Sequence, residues 1–137
     1  MTNNLSEPKL FRLVDANLNR LKEGIRVIED INRYLFDNET LCKELKTLRH
    51  LATVEDYPLF LSHRDIQNDV LKTSTASEKR RDDISAILLA NYKRAQEAAR
   101  VLEEAFKLID SDKSEDFKTV RYRLYALEQE NLKGMNL

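Results

Sequence analysis

At 137 residues the chain has the length of one average domain, and 23 Lys and Arg against 24 Asp and Glu leave a formal charge of −1. That balance excludes a global field drawing the chain onto nucleic acid or an acidic membrane, so any anion site has to be local. With only two glycines and two prolines, long helices are expected, while a Walker loop and a GxGxxG turn are excluded because both need clustered glycines.

The start MTNNLSEPK has no basic patch followed by an apolar stretch, and no run of 18 apolar residues occurs, so a cytoplasmic protein without a membrane span is expected. Apolar residues Leu18, Leu21, Ile25, Ile28 and Leu35 recur at three- and four-residue steps, which predicts a first helix from Leu10 to about Phe36. Asp37 and Asn38 can close it and cap a second helix from about Glu39 to Val54, with Leu41, Leu45 and Leu48 inward. The lone Cys42 lies in this helix without the Cys or His partners that a disulfide or zinc site requires. Residues 55–74 hold no sustained helical period and read as a long central loop, with room for a short helix at Pro58 to Ser62. Connections of that length in a small domain are often functional. Thr75-Ala76-Ser77-Glu78 has the form of a capping box, which predicts a third helix running to about Ile109. A fourth follows from about Ser114 to Lys133, with Gly134 placed to end it.

The two halves repeat. ANLNRLKEGIRVIED from Ala16 matches ANYKRAQEAARVLEE from Ala90 at an offset of 74, and KTLRH from Lys46 matches KTVRY from Lys118 at an offset of 72. The physical reading is an all-α fold in which a duplicated helical hairpin forms a pseudo-twofold four-helix bundle around a long central loop. A single domain covers 1–137, with repeat 1 at about 11–54, the loop at 55–74 and repeat 2 at about 75–133.

On a wheel of about 100° per residue, Gly24, Ile28, Leu21 and Leu35 centre the apolar arc of the first helix, with Asn17 inside it. Arg20 falls at its edge beside Val27 and Ile31, and Glu23 lies one step beyond, at i,i+3 from Arg20. The repeat puts Asn91, Arg94 and Glu97 in the matching places. Desolvated polar sets of this kind have to be paired or occupied, so they read either as a network fixing helix register or as a ligand site. Arg26, Asp30 and Arg33 fall on the solvated face. Lys79-Arg80-Arg81 reads as a solvated basic turn, or as a phosphate attractor if a helix starts there. Tyr122, Tyr125, Phe106 and Phe117 read as core.

Asp15-Ala16-Asn17-Leu18-Asn19-Arg20 through Glu29-Asp30, then Leu48-Arg49-His50, Arg64 with Asp69-Val70, the second repeat and Arg121-Tyr122 together resemble the monofunctional hydroxymethylpyrimidine phosphate kinases of thiamine biosynthesis. That helical family occurs alone or fused to thiamine phosphate synthase. The resemblance runs from about Phe11 to Leu127. One segment departs from it: Asn68-Asp69-Val70-Leu71 stands where a Gly-Asp-Val-Gly loop is expected, which removes both glycines and the close backbone approach they allow.

The resemblance implies transfer of the γ-phosphoryl group of ATP, with Mg²⁺, to hydroxymethylpyrimidine monophosphate. Arg20, Arg94, Arg49 and Arg64 are the implied phosphate-facing cations, and Glu23, Glu97 and Asp69 the implied direct or water-mediated Mg²⁺ ligands. Asn17, Asn91 and His50 are the implied substrate-binding groups. The implied partners are the small pyrimidine phosphate and thiamine phosphate synthase, with a homodimer left open. Two other readings stand beside it: an all-helical Mg²⁺-dependent nucleotide pyrophosphohydrolase, which needs clustered carboxylates, and a non-catalytic module docking on thiamine phosphate synthase. The synthase activity itself resembles that of a β/α barrel, for which this chain has neither the length nor the strands.

Overall fold

The computed structural model describes residues 7–74 and 83–135. Helix α1 (Glu7–Asp30) follows the apolar period, burying Leu18, Leu21, Ile25 and Ile28. It passes into a π-helical turn at Ile31–Leu35, where the Phe36 amide donates to the Ile31 carbonyl at 3.2 Å. The wider turn breaks the 100° register, so Leu35 is 56% exposed rather than in the apolar arc. Asp37, at φ 51°, then reverses the chain. Helix α2 (Glu39–Leu51) starts at Asn38, whose side chain accepts the Leu41 amide at 3.1 Å.

Helix α3 (Tyr57–Leu61) is short and carries Pro58 in its first turn. The second hairpin comprises α4 (Ile84–Phe106) and α5 (Ser111–Gly134), N-capped by the side chains of Asp83 and Asp110. Helix α4 therefore begins at Ile84 rather than at the capping box. Asp83 has extended backbone, φ −157° and ψ −177°, so no helix runs through it. Thr75 to Glu78 and Lys79-Arg80-Arg81 lie outside the described residues. Helix α5 starts three residues before Ser114, which is buried and donates its hydroxyl to the Glu103 carbonyl at 2.7 Å.

α1 and α4 pack side by side at the centre, α2 lies on α1, α5 lies on α4, and α2 touches α5. The central pair comes close at Gly24, where an added Cβ would sit 3.2 Å from the Asn91 carbonyl and 3.3 Å from the Ala95 Cβ. Any larger residue there would push the two helices apart. At the far end, Phe60 of α3 contacts both Phe11, early in α1, and Phe106, the last residue of α4. The start of α1 thus lies by the end of α4, and the two helices run antiparallel.

The four-helix, duplicated arrangement expected from the repeat is present, but the two hairpins are unequal. α5 has 24 residues and α2 only 13. At the same offset of 72, Pro58 stands where the second copy has Glu130, well inside α5. A proline in that position would lose a backbone hydrogen bond and clash with the preceding turn, so the first hairpin breaks and restarts as α3 on α1.

One polar cluster ties the bundle together. Asn32 and Asn131 exchange amide hydrogen bonds at 2.8 and 3.1 Å, and the Tyr92 hydroxyl donates to Asn131 Oδ1 at 2.8 Å. All three are buried, and burial pushes the Tyr92 phenol well above its usual range. Phe106 and Phe117 stack in the core, whereas Tyr122 and Tyr125 are exposed at 56% and 40%. Contrary to the sequence expectation, those two tyrosines lie outside the core, around the guanidinium of Arg121. Among the described residues no helix is long and apolar enough to cross a membrane.

Candidate functional site

Breaking the first hairpin at Pro58 delivers a chain segment to the flank of α1. Arg64 from this segment grips Asp15 with two short bonds, Nε to Oδ2 at 2.8 Å and Nη2 to Oδ1 at 2.9 Å. Arg64 Nη2 also donates to the Tyr57 hydroxyl at 2.8 Å, which in turn donates to Asn19 Oδ1 at 3.3 Å. Asn19 closes the ring by donating to the Asp15 carbonyl and carboxylate at 2.9 and 3.3 Å. The Asp15 bond holds the Arg64 guanidinium far above its usual range. The second hairpin has no counterpart: Leu89 and Lys93 stand where the first has Asp15 and Asn19.

Beside this clasp lies an open cleft of about 730 Å³ between α1 and the segment 64–69. Its wall includes Asn17, Arg20, Glu23, Arg64 and Asp69, five of the ten residues singled out from sequence, together with Lys9 and Arg12. The volume falls within the range of small-ligand sites, roughly 300–1,000 Å³. Arg20 and Glu23 are exposed and form no hydrogen bond or ion pair among the described residues, not even with each other. They are thus neither desolvated nor part of an internal network, contrary to the wheel. Asn17 is buried, with its Nδ2 spent on the Leu13 carbonyl at 3.0 Å. Asp69 is exposed and uses Oδ1 to accept the Leu71 amide at 3.0 Å.

The remaining candidates lie elsewhere. Asn91, Arg94 and Glu97 are on α4 and are not part of this cleft, and Asn91 Nδ2 bonds the Ile87 carbonyl at 2.9 Å. His50 is exposed and lines a smaller hollow of about 350 Å³ with Lys22, Glu23, Arg26, Arg49 and Thr53. Arg49 is engaged with Glu29, Nε to Oε1 at 2.8 Å and Nη2 to Oε2 at 3.3 Å. The repeat holds here: Glu103 and Arg121 make the matching pair, with Nε to Oε1 at 2.9 Å. Arg49 and Arg64, expected as open cations, are therefore each bound by a buried carboxylate.

Asp15, immediately before the repeated sequence motif, and Glu29 and Glu103, within it, stand outside the apolar arc, and all three are buried. The signal was available. α1 is covered on one side by α4 and on another by α2 and α3, so its buried arc is wider than its apolar stripe. Acidic residues just past the stripe, opposite an Arg of a neighbouring element, then become buried pairs.

Among the described residues, no three His, Cys, Asp or Glu side chains come together as a metal-holding group. Glu23 and Asp69 share the cleft and Glu97 does not. Two hard carboxylates still fit Mg²⁺, which is commonly held by one or two protein carboxylates together with substrate phosphates and water.

The loop forming the outer wall has its own electrostatic tie. Asn68 donates its side-chain amide to Asp65 Oδ2 at 2.8 Å and its backbone amide to Oδ1 at 3.1 Å. The Asn68 side chain above all holds the Asp65 carboxyl below its usual range. A depressed folded pKa means that this stabilisation is full above the ordinary aspartate value of about 4 and is lost as pH falls through the lower folded value. A pH titration followed by NMR should show the Asn68 amide resonance moving with the Asp65 carboxyl, at a midpoint below that of a free aspartate. A midpoint at or above the ordinary value would refute the tie.

The fold and cleft define a small helical protein with a groove of mixed charge, lined by four basic and four acidic side chains, on the first of two repeated hairpins. The chain belongs to the ThiD2 family, whose model matches residues 12–130. It is 41% identical over 124 residues to the thiamine-phosphate synthase of Synechocystis sp., covering 90% of this chain and 36% of that protein. To the thiamine-phosphate synthase of Thermosynechococcus vestitus it is 41% identical over 122 residues, covering 88% and 35%. With that of Rhodopirellula baltica the figures are 36% over 141 residues, covering 97% and 38%. The chain thus spans little more than a third of the length of these curated relatives. No solved structure matches it significantly.

Proposed function

We propose that the chain is a phosphotransferase of thiamine biosynthesis, moving the γ-phosphoryl group of ATP onto hydroxymethylpyrimidine monophosphate to give ADP and the pyrimidine diphosphate. Membership of the ThiD2 family and likeness to part of several thiamine-phosphate synthases support the pathway. The observation that carries the reaction type is the cleft on α1, where the unpaired Arg20 lies with Arg12 and Arg64 and with four carboxylates, Asp15 held by Arg64, Asp65 held by Asn68, and Glu23 and Asp69.

The acceptor is a phosphate monoester with a second pKa near 6, so at neutral pH it is already an anionic nucleophile and needs no strong base. What the site has to supply is alignment of two phosphates and compensation of their charge. Arg20 is free to bond a phosphate oxygen, and Arg12, which donates to the Asp65 carbonyl at 3.0 Å, is a second donor at the same wall. Arg64 acts mainly by position, fixing the loop that carries Asp69. Glu23 and Asp69 would hold Mg²⁺ alongside the nucleotide, where the ion neutralises developing phosphate charge.

Incubating the protein with Mg-ATP and the pyrimidine monophosphate should yield ADP and the diphosphate; ATP left intact would overturn the reading. Arg20→Met should lower kcat/KM at least tenfold, about 1.4 kcal/mol of transition-state stabilisation. At a protein concentration that keeps the chain monomeric, its thermal unfolding should be almost unchanged, because within the chain the exposed, unpaired side chain leaves nothing stranded. A variant with full turnover would remove Arg20 from the site.

The pyrophosphohydrolase reading calls for carboxylates gathered round Mg²⁺, and among the described residues no three come together as a metal-holding group. A docking role on thiamine-phosphate synthase stays as the second reading, favoured by the match to only about a third of such proteins. It predicts a stable complex with the synthase and no consumption of ATP.

A further inference from the structure

Two strips of side chains, one per repeat, flank the seam where α1 meets α4. On α1 the strip is Leu13, Ala16, Arg20, Glu23 and Val27, and all five are exposed, Leu13 and Val27 at 45% and 37%. On α4 the repeat places Ile87, Ala90, Arg94, Glu97 and Val101 in the same order. Arg94 and Glu97, like Arg20 and Glu23, make no hydrogen bond or ion pair among the described residues. By contrast, the exposed charges further round α1 and α4, Arg26 with Asp30 and Arg100 with Glu104, pair within their own helix at 3.4 and 3.3 Å.

The order of charge along the strips is self-complementary. Gly24 abuts the stretch from Asn91 to Ala95, and the helices are antiparallel. Stepping back along α1 from Gly24 therefore means stepping forward along α4, which sets Arg20 level with Glu97 and Glu23 level with Arg94. We propose that this α1–α4 face docks a second copy of the chain, forming an isologous twofold dimer. An axis along the seam lays α1 of one protomer over α4 of the other, with Arg20 opposite the partner's Glu97 and Glu23 opposite the partner's Arg94. An axis across the seam at the level of Leu21 instead sets Arg20 against the partner's Glu23. Either way each cation meets a carboxylate, while Leu13, Val27 and their repeats supply the apolar contact. Opposite charges at matched positions select this partner.

The dimer does not depend on the kinase reading, but it bears on the same cleft. Leu13, Ala16, Arg20 and Glu23 belong to both the strip and the cleft wall. A guanidinium with five donors can bond a partner carboxylate on one edge and a phosphate on another, so the second copy would steady the phosphate-facing cation.

The test reads mass, so its failure is separate from failure of the enzyme assay. Sedimentation equilibrium of the wild-type chain of 16.1 kDa should give twice the monomer mass. The double variant Arg20→Glu with Arg94→Glu makes both strips acidic, and Glu23→Arg with Glu97→Arg makes both basic. Each should sediment as a folded monomer, with helical circular dichroism unchanged, and an equimolar mixture of the two should recover the dimer mass. A wild-type chain that stays monomeric at 100 µM, roughly the upper range of a weak specific contact, would overturn the proposal. So would charge-reversed variants that remain dimeric, since the interface would then lie elsewhere.

Discussion

Arg49→Met should lower the unfolding free energy by about 3 kcal/mol, the lower end of what breaking a buried ion pair costs. Glu29 is buried, and Arg49 is its only cationic partner within 4 Å among the described residues, so the substitution leaves a carboxylate with no compensating charge. The low end applies because the Arg49 side chain is still 23% exposed, which lets solvent screen part of the interaction. At this chain length the loss corresponds to a fall of about 10 °C in Tm. The pseudo-equivalent Arg121→Met should lose less, about 2 kcal/mol. Although Arg121 is more deeply placed, Glu103 keeps a second cation, Arg100, at 3.3 Å. Paired thermal melts check the order. Equal losses would mean that Arg100 contributes nothing, and an unchanged Arg49→Met melt would return that residue to the pool of free phosphate-binding cations.

Asp15→Asn should have the largest effect on turnover, a loss of at least a hundredfold in kcat/KM, equivalent to about 2.7 kcal/mol. The change removes the charge that holds Arg64 and weakens the ring through Tyr57 and Asn19, so the segment carrying Asp69 is no longer anchored on α1. A displacement of about 1 Å at a distance from the chemistry is enough for losses of this size. Overall stability should change much less than for Arg49→Met, because Arg64 is 37% exposed and can regain water. Hydrogen exchange should locate the change in residues 57–70 and leave α4 and α5 as protected as before. Because Asp15 acts through Arg64, Arg64→Lys should recover part of the activity of Arg64→Met, the lysine restoring the ion pair without its second bond. Wild-type kinetics for Asp15→Asn would leave the clasp as a purely structural contact.

Sequence alone determined the all-helical class, the duplication and most of the core, because apolar spacing at 3.6 residues and a repeated motif are local properties that survive any packing. It also marked the segment that builds the cleft, since Pro58 cannot continue the helix that its counterpart Glu130 continues. Tertiary structure decided what the polar residues do. The wheel treats α1 as a helix with one buried side, whereas α4, α2 and α3 cover it on several, which turns Asp15 and Glu29 into buried partners of Arg64 and Arg49. Arg20, Glu23, Arg94 and Glu97, set at the edge of the apolar arc by the wheel, stay exposed among the described residues, where no element covers them. Leu35 left the core because one π-helical turn changed the register, something no periodicity measured upstream could foresee. Which Arg is bound by a carboxylate and which is open to an anion depends on contacts across 20 to 49 residues of chain, and only the packed helices bring those partners together.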